Sequence, residues 1–82
     1  KGVVTVSGHT DNVPLVFGGR YRDNWDLAAA RSASVVQELS NSGKINESNL
    51  QAISYGESRP VDTNESPEGR AKNRRIEIEI NY

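Results

Sequence analysis

The stretch NWDLAAARSASVVQEL, residues 24–39, decides the fold. Asn24 reads as an N-cap, Asp26 puts negative charge into the first turn, and the residues through Ser42 suit a helix until Gly43 offers a left-handed stop. At about 100° per residue, Trp25, Ala28, Ala29, Ser32, Val35, Val36 and Leu39 share one stripe, which predicts a helix lying on a sheet. Arg31 falls at the border of that stripe, beside Leu27. Helical side chains lean toward the N-terminus, so its guanidinium points back at the loop before the helix.

Working outward, Val3 to Ser7 alternates β-branched with small or polar residues and reads as a half-buried strand ending at Gly8. Residues 9–23 hold Asp11-Asn12, Pro14 and Gly18-Gly19, a set of turn formers that makes a long loop. Beyond the helix, Leu50 to Tyr55 reads as a second strand, parallel to the first because a helix connects them. Ser66-Pro67-Glu68-Gly69 opens a short helical turn, with proline at its first position. Ile76, Ile78 and Ile80 then alternate with Arg75, Glu77 and Glu79, a last strand with one dry face. The expected fold class is α+β, a two-layer sandwich in which a small mixed sheet carries the helix on one face. Residues 1–82 make one domain.

Composition narrows the function. Ten basic residues balance eleven acidic ones, which disfavours a nucleic-acid binder. The chain has no cysteine and a single histidine, so thiolate metal sites and disulfides are ruled out, and no metal or cofactor is expected. No run is long and apolar enough for a membrane helix.

Phase singles out three charged side chains. Arg74 shares the inward face with Ile76, Ile78 and Ile80 but sits at the start of that strand. If the strand pairs antiparallel with the first, its start lies beside Gly8 and Asp11. Asp11, Arg31 and Arg74 would then converge where the first strand ends and the helix begins, an edge that ligands of α/β sheets favour. One carboxylate and two guanidiniums suit a ligand bearing both an ammonium and a carboxylate. His9 reads as a structural, hydrogen-bonded histidine, and Trp25 as a residue packed under the loop. Arg70, Lys72 and Arg75 read as a solvated, salt-bridged face. Glu57 and Asp62 belong to a different loop, leaving Asp11 without an acidic partner.

The segments GHTDNVP (8–14), NWDLAAARSASVVQEL (24–39), SYGESRPV (54–61) and SPEGRAKNRRIEI (66–78) occur in this order. Together they resemble the peptidoglycan-binding domain shared by OmpA-like outer-membrane proteins and MotB-like flagellar stator proteins. The tryptophan after Asn24 and the long loop before it look more like the MotB branch. The resemblance implies a β-α-β-α-β-β domain, here lacking its first β-α unit. It further implies a non-catalytic module that binds the diaminopimelate of the peptidoglycan stem peptide and anchors a membrane-bound parent, in the inner or outer membrane, to the cell wall from the periplasm. By the same resemblance Asp11 and Arg31 hold the diaminopimelate, Asn24 and Thr10 support them, and Arg74 orients them. A homodimer is left open by the pairing of stator members. The alternative is a peptidoglycan hydrolase, a glycosidase or amidase, which would require a carboxylate pair or an open metal site.

Overall fold

The structure is a computed structural model and describes residues 2–82. Strand β1 (Val3–His9) is followed by helix α1 (Asn24–Asn41), a single 3-10 turn (Glu47–Asn49), β2 (Leu50–Gly56), helix α2 (Pro67–Asn73) and β3 (Arg75–Asn81). The sheet order is β2-β1-β3, with β1 parallel to β2 and antiparallel to β3. The fold is thus α+β with a small mixed sheet, as the sequence predicts. Two boundaries differ. β1 runs two residues past Ser7, to His9, because β2 and β3 both continue to pair with it there. Arg74 lies outside β3 and closes α2, its backbone N–H bonding to the Arg70 carbonyl.

The helix start also differs from expectation. Asp23, not Asn24, is the N-cap, and its carboxylate accepts the Asp26 N–H at 2.8 Å. Aspartate serves as well as asparagine there. Asn24 is thereby freed to turn its amide inward.

α1 packs on β1 and β2. Val4, Val6 and Ala28 form the dry centre, with Ser32 buried and bonded back to the Ala28 and Ala29 carbonyls. Ala29 and Trp25 of the expected stripe are exposed, and Val35, Val36 and Leu39 are half-buried. Gly8 explains how close the helix comes, since a Cβ there would lie 2.3 Å from the Ala28 carbonyl oxygen. Gly8→Ala must push α1 off the sheet, and a loss of about 3 kcal/mol is expected by chemical denaturation. A loss below about 0.5 kcal/mol, the usual range of a harmless surface change, would refute the close packing.

One helix roughly 10 Å wide covers about two strands spaced about 4.8 Å apart. β3 therefore keeps its isoleucines only partly covered, Ile78 at 54% and Ile80 at 51% exposure. Their alternation correctly marks the dry face, which is the face of Val4 and Val6. No helix among the described residues is long and apolar enough to cross a membrane.

Candidate functional site

At the end of β1 the chain leaves the sheet through Thr10 and Asp11, both buried. An irregularity between Gly8 and His9 in the pairing with β2 sets this exit, and the Thr10 N–H bonds to the Gly56 carbonyl at 2.9 Å. Irregular pairing of this kind bends a strand and re-aims the next side chains. Gly56 is needed here twice over. Its φ is +54°, and a Cβ would lie 2.9 Å from the Trp25 ring. Trp25 therefore seats on Gly56 with half its surface exposed, and does not join the core.

The Asp11 carboxylate is held at both oxygens. Oδ1 accepts the Val13 N–H at 3.0 Å, and Oδ2 accepts Nη1 of Arg74 at 2.7 Å. Arg74 arrives from the junction of α2 and β3, one residue ahead of the strand whose inward face the sequence gives it. Asn24 fastens the same corner. Its Nδ2 donates to the carbonyls of Asp11 (3.2 Å) and Val13 (3.1 Å) and to Oε1 of Glu57 (2.9 Å). Thr10 turns its hydroxyl onto the Asp11 carbonyl at 2.7 Å.

These residues wall a cleft of about 360 Å³ together with Arg31, Arg70, Val13, Pro14, Leu15 and Leu27. All five residues singled out in the sequence, Thr10, Asp11, Asn24, Arg31 and Arg74, line it. Asp11 and Arg31 sit on the same cleft. Among the described residues Arg31 makes no ion pair and no side-chain hydrogen bond, which leaves a guanidinium fork free for an anion.

Two participants were not read from the sequence. The sequence puts Glu57 in a separate loop, yet Asn24 bonds it at the start of the helix. Arg70 reads as part of a solvated face, yet it lines the cleft and donates Nη1 to the Asn64 carbonyl at 2.9 Å. The spacing of Arg70 and Arg74 held the signal, because residues four apart share a helix face. Lys72 does pair with Asp62 on the surface. Arg75 departs from the solvated reading, since its side chain is only 18% exposed and bonds Glu77 and the carbonyls of Asn73 and Arg59.

The opposite face of the sheet carries a second concavity, where Arg75 pairs with Glu77 at 2.6 Å. Its centre is His9, 3% exposed and stacked on Tyr55, whose ring also carries the Arg59 guanidinium 3.9 Å from its centroid. Nε2 of His9 lies 3.3 Å from the Ser7 hydroxyl, while Nδ1 has no partner among the described residues. Burial, then the Arg75 and Arg59 guanidiniums, hold the imidazole below its ordinary 6.5, opposed by Glu77. Unfolded chains take up this proton at higher pH than the folded protein, so stability falls as pH drops below about 6.5. The melting temperature should decline from pH 7 to pH 5.5, with a shallower slope in His9→Gln. Equal slopes in both proteins would contradict the assignment.

The OmpA family profile matches residues 1–74. Motility protein B of Bacillus subtilis (strain 168) is 38% identical over 77 residues, which are 94% of this chain and 29% of that protein. Among solved structures, a putative MotB-like protein from Desulfovibrio vulgaris superimposes with a TM-score of 0.88 at 34% identity, over 98% of this chain and 49% of that one. The cell wall anchor of the T6SS from Pseudomonas aeruginosa gives a TM-score of 0.84 at 41% identity, over 100% and 55%. The chain thus spans less than a third of the first relative and about half of each solved structure.

Proposed function

This chain belongs to the OmpA family, and on that footing we propose that it is a non-catalytic module that grips peptidoglycan by the diaminopimelate of its stem peptide. It works in the periplasm and ties a membrane-attached parent to the cell wall. The observation that carries this reading is the cleft in which a carboxylate anchored by Arg74 shares a wall with the unpaired guanidinium of Arg31. The free end of diaminopimelate presents an ammonium and a carboxylate on one carbon, followed by methylenes. Asp11 receives the ammonium, since two of its roughly four lone-pair sites remain after Val13 and Arg74. Arg31 takes the carboxylate with a planar fork. Val13, Pro14, Leu15 and Leu27 offer apolar surface to the methylenes.

The names of the similar proteins support the same reading, as one is a cell wall anchor and others are motility proteins. Hydrolysis is the weaker reading, because the Asp11 carboxylate is matched with a guanidinium, whereas a glycosidase flanks its bond with two carboxylates. The test is an NMR titration of the protein with a stem peptide containing diaminopimelate and with one containing lysine in its place. Shifts at Thr10–Asp11 and Asn24–Arg31 are expected with the first peptide alone. No response, or an equal response to the lysine peptide, would overturn the proposal.

A further inference from the structure

The charge of the cleft goes beyond what a zwitterionic head requires. Among the described residues Asp11 is the only acid on its wall, against three guanidiniums, Arg31, Arg70 and Arg74. Asp11 and Arg74 cancel at 2.7 Å. Neither Arg31 nor Arg70 has an ion-pair partner among the described residues. None of the nearby acids lines the cleft: Glu57 accepts from Asn24 at its rim, Asp23 caps α1 and Asp26 faces Arg22. Arg70 gives Nη1 to the Asn64 carbonyl and keeps further N–H donors from a group that has five. The cleft therefore carries an excess of two positive charges in a partly enclosed space, where such a field acts more strongly than on open surface.

A ligand with one ammonium and one carboxylate would leave that excess untouched. We infer that the cleft selects a ligand with a second free carboxylate a few methylenes away from its zwitterionic head, and that Arg70 is the specificity residue that receives it. This rests on the proposed function and refines it: diaminopimelate has two carboxylates, and the one remote from the gripped head is open to amidation or peptide-bond formation. A free acid there would be preferred to an amide.

The experiment compares two small probes by NMR titration at low salt. One is diaminopimelate acetylated on one amino group, which keeps one ammonium and two carboxylates. The other is the same compound with the carboxylate of the acetylated carbon converted to a primary amide. The wild-type protein is expected to bind the diacid about tenfold more tightly, the usual weight of one charge-assisted hydrogen bond. Arg70→Gln should bind both probes alike, at the affinity wild type shows for the amide, and Arg70→Lys should keep part of the preference. Equal affinities in wild type, a preference that persists in Arg70→Gln, or identical behaviour of the glutamine and lysine variants would each overturn the inference. Failure of both probes to shift Asp11 and Arg31 would instead remove the proposed function, and this inference with it.

Discussion

Asp11→Asn is expected to weaken binding of a diaminopimelate stem peptide by about 10- to 100-fold while leaving the fold intact, the range for losing a hydrogen bond to a charged group. Asparagine is isosteric and retains an oxygen for the Val13 N–H, so the turn at 11–13 survives. What disappears is the negative charge that Arg74 stabilises and that a ligand ammonium would meet. Titration of the variant beside wild type measures the loss, and circular dichroism reports the fold. Unchanged affinity would mean that the ligand does not meet Asp11. Arg31→Lys is the companion measurement, because lysine keeps the charge but not the two-pronged geometry. A loss smaller than that of Asp11→Asn, but clear, is expected.

The largest structural effect is expected at a residue that touches no ligand. Asn73 is fully buried, with 0% exposure, at the end of α2. Its Oδ1 accepts the N–H groups of Val61 (2.8 Å) and Asp62 (3.0 Å), and its Nδ2 donates to the Asp62 carbonyl (3.0 Å) and to Oδ1 of Asn64 (2.8 Å). Asn73→Ala removes four part-buried hydrogen bonds at once and leaves a gap where the buried amide sat, and about 3–5 kcal/mol of stability is expected to go. A domain of this size holds roughly 4–12 kcal/mol in total. The variant should therefore be largely unfolded at 37 °C or melt far below wild type. Its position explains a second consequence. Asn73 precedes Arg74, so loosening the 61–64 segment from α2 also frees the guanidinium that orients Asp11. Asn73→Asp keeps the acceptor and loses both donated bonds, and should fall between alanine and wild type in thermal denaturation.

The difference between these two positions marks how far local pattern carries. The α1 stripe, the isoleucine alternation of β3 and the Ser66-Pro67 start of α2 are short-range signals, and the elements form where they predict. Arg31 is legible because helical period fixes its direction, and Asp11 and Arg74 because β3, pairing antiparallel with β1, brings its start beside the end of β1. Asn73 carries no such signal, since its amide serves a loop twelve residues upstream that has no period. The same limit applies to Asn24, which looks like a cap from its neighbours and is instead a three-way tie among Asp11, Val13 and Glu57.

By itself the sequence determined the elements, their pairing directions and the three charged residues of one corner, because hydrophobic period and charge phase are properties of a local stretch. Only the tertiary structure decided which residue caps α1, that Glu57 reaches its first turn, that Arg70 faces the cleft, and that Arg74 neutralises Asp11 while Arg31 stays unpaired. Those outcomes depend on distances between segments far apart in the chain, set by how closely Gly8 lets the helix approach the sheet and by where Asn73 pins the loop that follows β2.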